Sequence, residues 1–264
     1  MARPVIALLS DFGLRDHYVA AMKAVILGIC PDAALLDISH EIPAQDILAG
    51  ALELEAIVSY LPAGTIVVAV VDPGVGSGRR GVAIEAGDIR FVGPDNGLFS
   101  LALARLPRHT AVSIEERRFA LNRVSRTFEG RDRFAPAAAW LACGAQLFEM
   151  GPAVADLVEL KAPAATRLGK GIDGVVIRVD HFGNLITNID DEELAALGNA
   201  VSIDIAGATI DGMAGNYADV AHGALCAVIG STGRLEISVN GGSAAAVLNA
   251  TRGTSAHVRL RSGA

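Results

Sequence analysis

The chain of 264 residues is 52% hydrophobic and carries a formal net charge of −7 at pH 7, which allows one large domain or two modest ones. Its apolar runs are short, and none reaches the roughly 18 to 20 residues of a membrane helix, so no membrane partner is expected. The acidic balance offers no basic face for nucleic-acid phosphates and suits a positively charged small molecule better.

The first half of the chain alternates short apolar runs with segments of helical spacing. Strands are predicted at residues 5–10, 34–38, 65–71, 81–85 and 89–92, the last two as a hairpin. Helices are predicted at residues 17–29, 46–60, 96–105 and 134–143, with Asp46 as the cap of the second. This alternation favours a mostly parallel sheet with helices on both faces. Because Asp11 ends the first apolar run too early for a signal-peptide core, a cytoplasmic location is predicted.

The pattern changes at about residue 165, after a segment rich in Ala, Pro, Gly and basic residues. Beyond it, short strands are predicted at residues 174–179, 200–205, 208–210, 224–229, 235–239 and 256–260, with one helix at 191–197. Such a series is typical of a small antiparallel barrel or sandwich. We therefore predict an α/β fold of two domains, residues 1–165 with the mostly parallel sheet and residues 166–264 with the antiparallel strands.

The three cysteines, Cys30, Cys143 and Cys226, are far apart and lack the spacing of metal ligands. A disulfide framework and a zinc site are therefore not expected. We predict that all three are thiols of the hydrophobic core.

The first polar segment that could carry chemistry follows the first predicted strand, at Ser10-Asp11-Phe12-Gly13 with Asp16 close behind. A carboxylate at the end of a parallel strand lies where such sheets open their ligand crevice. It could accept two hydrogen bonds from a ribose diol or pair with an ammonium group. The alternative is that Asp11 or Asp16 only caps the next helix.

The second segment follows the most apolar strand and reads Asp-Pro-Gly-Val-Gly-Ser-Gly-Arg-Arg over residues 72–80. Its three glycines allow a close approach of the backbone to a ligand, and Asp72 and Arg79 bring opposite charges to one loop. It is neither a P-loop nor a Rossmann fingerprint, so nucleotide phosphates are not the obvious target. The alternative is a turn with a surface salt bridge.

Two further segments concentrate polar residues, at 127–136 and at 180–188. The first contains Glu129 just before a predicted helix, where the charged residues could also be a cap with solvated partners. In the second, Asn184 could bind a base edge through its paired donor and acceptor, and Asp180 could hold an amine. His181 alone is more typical of a structural role.

Together these segments resemble the family of S-adenosylmethionine hydroxide adenosyltransferases, which is related to the fluorinases and chlorinases. The resemblance covers nearly the whole chain, since matched motifs occur in the same order: SDFG, DPGVGSGRR, PDNG, FEGRDRFAP, DHFGNLITNI and VNGGSA. It implies an N-terminal α/β domain, a C-terminal β-barrel domain and a homotrimer with ligand sites between neighbouring subunits. It also implies a small-molecule substrate, with no cofactor and no metal.

The resemblance also implies roles for individual residues. Asp11 would hold the ribose hydroxyls, Asp16 and Asp180 the methionine end, and Asn184 would face the adenine. Further contacts would come from Ser231 and Asn240 in the second domain, where the motif is matched less closely. Asp72 and Arg79 match the Asp and Arg that surround the attacking water in the hydrolytic members. Glu129 stands where those hydrolases usually have a His.

The predicted reaction is hydrolysis of S-adenosylmethionine, in which water attacks C5′ of the ribose and releases adenosine and L-methionine. Asp72 would orient or deprotonate the water, and Arg79 would keep Asp72 ionised. Glu129 would be a second acceptor, or would share a proton with Asp72, in which case activity rises with pH. The alternatives are a protein that binds S-adenosylmethionine or adenosine without turnover and, since an ionised Asp72 repels halides, the less favoured halogenase.

Overall fold

The computed structural model describes residues 3–198 and 200–261, and the chain divides into two compact units, Met1–Ala162 and Pro163–Ala264. The strands of the first unit are β1 (Val5–Ser10), β2 (Ala34–Ser39), β3 (Ile66–Val70), β4 (Gly81–Ala86), β5 (Ile89–Pro94) and β6 (His109–Ser113). Its helices are α1 (Tyr18–Ile29), α2 (Ile47–Ile57), α3 (Ser100–Ala104) and α4 (Ala135–Ala142).

The first unit is a six-stranded sheet in the order β2-β1-β3-β5-β4-β6, with helices on both faces. Strands β1, β2, β3 and β5 run parallel, and β4 and β6 are antiparallel to their neighbours, which confirms the predicted mostly parallel sheet. Alternate side chains of β1 enter different cores: Ile6 and Leu8 pack with α1 and α4, whereas Ala7 and Leu9 pack on the face of α2 and α3. Burial on both faces explains the continuous apolar runs in the sequence.

The second unit is an antiparallel barrel that is nearly closed. Its strands are β7 (Thr166–Leu168), β8 (Gly171–Val179), β9 (Leu185–Asp190), β10 (Val201–Ile205), β11 (Ala208–Asp211), β12 (Leu225–Ile229), β13 (Arg234–Val239) and β14 (Ser255–Leu260). The strand order is β11-β10-β14-β8-β9-β13-β12, with β7 on β8, and two short helices are α5 (Asp191–Ala195) and α6 (Ala244–Leu248). Just after β11, Ala214 N donates to Ala227 O of β12 at 2.8 Å and draws the outer strands together. The predicted antiparallel second half is confirmed.

Several predicted boundaries are wrong for local reasons. The helix predicted at 96–105 is only Ser100–Ala104, because Gly97 has a left-handed φ of 92° and Asn96 Nδ2 donates to Val71 O at 2.8 Å. Strands β6, β7 and β9 and helix α6 were not predicted at all. The Asp46 cap is confirmed, since its carboxylate accepts from Ala49 N at 3.0 Å.

The cysteine prediction is wrong at one position. Cys30 and Cys226 are buried, but Cys143 is exposed, because it follows the last turn of α4 at the surface of the unit. In residues 3–198 and 200–261, no group of three His, Cys, Asp or Glu side chains is arranged to hold a metal ion. Within the same residues, no helix is both long and apolar enough to cross a membrane.

Candidate functional site

The candidate site lies where β1 and β3 end side by side. These parallel neighbours pair Ser10 with Val70, so the residues that follow each strand emerge at the same edge of the sheet. From β1 the chain passes through α1 to β2 on one side, and from β2 it passes through α2 to β3 on the other. The strand order therefore reverses between β1 and β3, and such a switch point opens a crevice at the carboxyl ends of the strands.

A pocket of about 300 Å³ lies in this crevice. Its lining comes from the loops after β1 and β3, from the segment before α2 and from residues 127–130, and comprises Asp11, Phe12, Tyr18, Ala44, Gln45, Val70, Asp72, Val75, Thr127, Phe128, Glu129 and Gly130. The rings of Phe12, Tyr18 and Phe128 pack edge-on or tilted, with centroids 5.1 to 5.8 Å apart. The pocket thus has an aromatic wall facing several carboxylates.

Two carboxylates of the pocket meet at one guanidinium. Arg79 Nε donates to Asp72 Oδ1 at 3.0 Å and to Oδ2 at 2.9 Å, and the Arg79 NH2 group bonds both Asp72 Oδ2 and Glu129 Oε2. The side chains of Asp72, Arg79 and Glu129 are 4%, 10% and 12% exposed. Sequence reasoning left open whether Glu129 faces solvent, and in the structure its carboxylate faces Arg79.

Charges within this cluster balance. Glu129 Oε1 also lies 3.5 Å from the guanidinium of Arg133, so two carboxylates are matched by two arginines. Burial disfavours the charged form of Arg79, but its hydrogen bonds with Asp72 and the charges of Asp72 and Glu129 outweigh this and raise the pKa of Arg79. Arg79 is therefore a permanent cation that holds both carboxylates in place.

The loop that presents Glu129 is anchored by the residues after it. Residues Gly130–Phe134 form a single π-helical turn before α4, in which Asp132 is fully buried. The Asp132 carboxylate accepts from Ser125 N at 2.7 Å and from Arg131 Nε at 2.5 Å. This buried carboxylate ties residues 125–132 together, and π-helical turns are frequent at functional sites.

Asp11 and Asp16 are placed differently. Asp11 lines the pocket and accepts from Gln45 N at 2.8 Å, where Gln45 has a left-handed φ of 65°. The helix-cap alternative is wrong for both aspartates, because α1 has His17 as its N-cap and no side-chain hydrogen bond caps it. Asp16 is exposed and does not line the pocket.

In the second unit the predicted residues fall at two ends of the barrel. Asp180 accepts from Asn184 N at 2.8 Å and from Asn184 Nδ2 at 2.9 Å, so the two side chains lock the turn between β8 and β9. Asn240 follows β13 at this same end, and its amide donates to Val220 O at 2.9 Å. Ser231 is exposed and precedes β13, at the opposite end of that strand. The structure thus groups Asp180, Asn184 and Asn240 and leaves Ser231 apart.

A second pocket, of about 450 Å³, is larger but carries less chemistry. It lies along α3, and its lining is mainly apolar, including Phe99, Leu103, Leu157 and Leu160. We take the smaller pocket as the functional site because carboxylates converge there at a switch point of the sheet.

Sequence reasoning missed the aromatic wall and Gln45. Phe12 and Phe128 belong to the matched motifs SDFG and FEGRDRFAP, so their place beside the polar residues was the available signal. Tyr18 and Gln45 had no such signal, since both reach the pocket only through the packing of α1 and α2 against β1.

Two family models match the chain, the SAM hydroxide adenosyltransferase N-terminal domain over residues 6–151 and the SAM hydroxide adenosyltransferase C-terminal domain over residues 174–257. The chain is 41% identical over 253 residues to the (R)-S-adenosyl-L-methionine hydrolase of Salinispora tropica, with 95% of each chain covered. It is 42% identical to a protein of the same name from Thermus thermophilus, over 95% of this chain and 97% of that one. A more distant relative is a fluorinase of Nocardia brasiliensis, with 28% identity over 98% of this chain and 97% of that one.

The fold also matches that of a solved structure. An uncharacterised conserved protein from Thermotoga maritima superposes with a TM-score of 0.91 at 32% identity, covering 96% of this chain and 99% of that one. At this level of overlap, both the parallel sheet and the barrel have counterparts in the relative.

Proposed function

Because this chain belongs to the SAM hydroxide adenosyltransferase family, we propose that it is an enzyme that hydrolyses S-adenosyl-L-methionine to adenosine and L-methionine. The hydrolases it resembles are named for the (R)-sulfonium epimer, and we propose the same substrate here. The observation that carries the proposal is the meeting of Asp72 and Glu129 at Arg79 in a pocket that also contains Asp11.

The reaction is a single displacement at C5′ of the ribose. The oxygen of water bonds to C5′ as the C5′–S bond breaks, and the thioether of methionine leaves with the electron pair. A carboxylate takes the proton that the water loses, which is general-base catalysis combined with positioning. We assign this role to Asp72, which is oriented by its hydrogen bonds from Arg79, with Glu129 as a second acceptor of the water's hydrogen bonds.

The resemblance to the family also assigns the substrate contacts. We assign Asp11 to the ribose hydroxyls, Asp16 and Asp180 to the methionine end and Asn184 to the adenine, with Ser231 and Asn240 as further contacts. For Asp11 the support is its position in the pocket beside Asp72. Asn184 is supported by its burial, at 7% exposure, and by its bond to Asp180, which fixes the orientation of its amide.

The test is incubation of the protein with each sulfonium epimer of S-adenosylmethionine in ¹⁸O-water, followed by chromatography and mass spectrometry. Adenosine with one ¹⁸O at the 5′ position, in equal amount with methionine, is the expected result. A 5′-halogenated nucleoside in parallel samples with chloride or fluoride contradicts the choice of water. Stoichiometric binding without any product contradicts the enzyme and favours the non-catalytic alternative.

Substitutions of Glu129 test its place in the water site. We expect Glu129→Gln to lower turnover by about tenfold, as the loss of one charge-assisted hydrogen bond implies. Glu129→His restores the residue usual in the related hydrolases, and we expect turnover within about threefold of wild type near pH 7.5. Its activity should fall at acid pH, below the ordinary imidazole pKa of about 6.5, because the imidazole then becomes a cation beside Arg79 and Arg133, whose charges lower its pKa.

The measurement is a pH–rate profile of wild type and both Glu129 variants. A rise of the wild-type rate with pH supports a proton shared between Asp72 and Glu129. Three superimposable curves contradict a role for Glu129 at the water.

We propose that the protein acts as a homotrimer, because the resemblance places parts of each ligand site on two chains. We also propose that it acts in the cytoplasm and that its domains are residues 1–165 and 166–264. Light scattering is expected to give three times the mass of one chain. A monomer that binds the substrate with full affinity contradicts the trimer and the shared site.

A further inference from the structure

A series of hydrogen bonds runs behind the loop that carries Asp11. Ser10 Oγ lies 2.7 Å from Nδ1 of His40, with Ser10 fully buried and His40 only 4% exposed. On the other side of the ring, His40 Nε2 lies 3.1 Å from Asp37 Oδ1, and Lys23 Nζ donates to Asp37 Oδ2 at 2.6 Å. We call the side chains of Ser10, His40 and Asp37 the relay; they serve no step of the reaction described above.

A bulge at the end of β2 builds the relay. Leu8 of β1 pairs with Asp37, but Leu9 pairs with Ser39, so β2 holds one extra residue at this point. Bulges bend a strand and redirect the side chains that follow, and they are frequent beside active sites. Here His40, the residue after the bulge, turns its ring to the end of β1 at Ser10.

The hydrogen bonds of the relay run in one direction. Burial opposes ionisation of Asp37, but the hydrogen bonds from Lys23 and His40 outweigh it and lower the pKa of Asp37. An ionised carboxylate only accepts hydrogen bonds, so the proton of the imidazole sits on Nε2. Nδ1 then keeps its lone pair and accepts from the hydroxyl of Ser10, whose oxygen accepts in turn from Phe12 N at 3.4 Å.

His40 holds both of the loops that meet at Asp11. Its carbonyl oxygen accepts from Gly13 N at 2.7 Å, so the backbone and the ring of His40 together fix residues 11–13. Five residues further along, Gln45 N donates to Asp11 Oδ2 at 2.8 Å. The carboxylate of Asp11 therefore lies between two segments that share His40 as their anchor.

We propose that His40 is a positioning residue for substrate binding, and that it works only in the Nε2-protonated form that Asp37 imposes. The inference rests on the proposed function, in which Asp11 accepts the ribose hydroxyls. If the proton moves to Nδ1, the ring donates to Ser10 Oγ instead, and the proton of the buried hydroxyl loses its acceptor. Residues 11–13 then loosen and ribose affinity falls. The water site on Asp72 and Arg79 is not attached to the relay, so turnover of bound substrate stays the same.

Asp37→Asn tests this with little risk to folding, because the Asp37 side chain is 44% exposed. Lys23 can only donate, so it retains the oxygen of the new amide, and the amide NH2 faces His40 Nε2. The imidazole must then accept at Nε2 and carry its proton on Nδ1. We expect KM and the Kd for adenosine to rise about tenfold, with kcat within about twofold.

Two further measurements report directly on the His40 ring and on the loop that it positions. The ¹⁵N shifts of the His40 ring report which nitrogen carries the proton, and they are expected to exchange roles in the Asp37→Asn variant. Hydrogen exchange at the amides of Phe12 and Gly13 is expected to become faster. Since exchange needs no ligand, it tests the relay even if the wild-type protein hydrolyses nothing.

A double variant separates the relay from simple damage. In Lys23→Met with Asp37→Asn, the amide is free to turn its oxygen to His40, so KM, Kd and exchange should return to near wild-type values. The matched control is Glu85→Gln, which removes a carboxylate of 42% exposure from its 2.8 Å ion pair with Arg90, outside the pocket. The control is expected to change none of these quantities.

Three results would overturn the proposal. One is an Asp37→Asn variant whose ring proton moves while adenosine affinity and exchange stay at wild-type values. Another is a double variant that binds adenosine as weakly as Asp37→Asn alone, because the loss of affinity is then due to the lost charge of Asp37. The third is a fall in kcat equal to the rise in KM. If the wild type hydrolyses no S-adenosylmethionine, but adenosine binding and amide hydrogen exchange change as expected in the variants, only the proposed reaction is contradicted.

Discussion

Asp72→Asn is expected to lower the single-turnover rate by about 10²- to 10⁴-fold, the usual worth of a general base, while the Kd for S-adenosylmethionine changes by less than about threefold. The amide keeps the shape of the carboxylate but cannot take the water's proton. Arg79 keeps its hydrogen bond with Glu129, so the buried guanidinium retains a carboxylate partner. Rapid-quench kinetics and titration calorimetry measure the two quantities separately.

The chain offers a close control for this substitution. Asp95 is 3% exposed, as Asp72 is 4% exposed, and it pairs with Arg80, the neighbour of Arg79. Asp95 does not line the candidate site. Asp95→Asn should therefore cost similar stability but leave the rate unchanged, and a wild-type rate in Asp72→Asn contradicts the assignment of the base.

Asp11→Ala is expected to weaken binding of S-adenosylmethionine and adenosine by at least about 10- to 150-fold. This range corresponds to the loss of one charge-assisted hydrogen bond of roughly 1.5 to 3 kcal/mol, and the variant loses the bonds to both ribose hydroxyls. The rate at saturation should change far less than the affinity. Calorimetry in the Asp72→Asn background avoids turnover during the titration.

A comparison of ligands separates ribose recognition from a general loss of structure. Wild type should prefer adenosine to 2′,3′-dideoxyadenosine, and Asp11→Ala should bind both with similar, weak affinity. If the variant keeps the preference, Asp11 does not hold the hydroxyls. Its role is then limited to the hydrogen bond from Gln45 N that shapes the loop.

The parallel core was predictable because its signal is local. Strands such as β1 and β3 are continuous apolar runs, and polar residues directly after them mark the carboxyl edge of the sheet. The contact between Arg79 and Glu129, which are 50 residues apart, was not predictable in this way. It depends on the strand order and on the buried Asp132 that anchors the second loop, and neither leaves a periodic trace in the sequence.

Strand β9 was not predicted because its sequence lacks the pattern of a strand. Its residues Thr187 and Asn188 are buried but polar, so the segment lacks the alternation that identifies a strand. In the fold their polar groups are all paired: Thr187 Oγ1 donates to Leu235 O at 2.9 Å, Asn188 Oδ1 accepts from Val175 N at 2.7 Å, and Asn188 Nδ2 donates to Pro163 O at 3.0 Å. Such pairing, which makes the strand stable, is visible only once its neighbours are in place.

The proposed water site is carried by loops, residues 72–80 and 125–130, whereas the apolar strands beneath them are buried on both faces. Natural selection can therefore change the residues around the attacking nucleophile without changing the apolar side chains of the strands. Position 129 is an example, since its side chain reaches Arg79 from a segment that belongs to no strand. Lineages that inherit this sheet can diverge in chemistry through a few loop substitutions that leave its apolar strands unchanged.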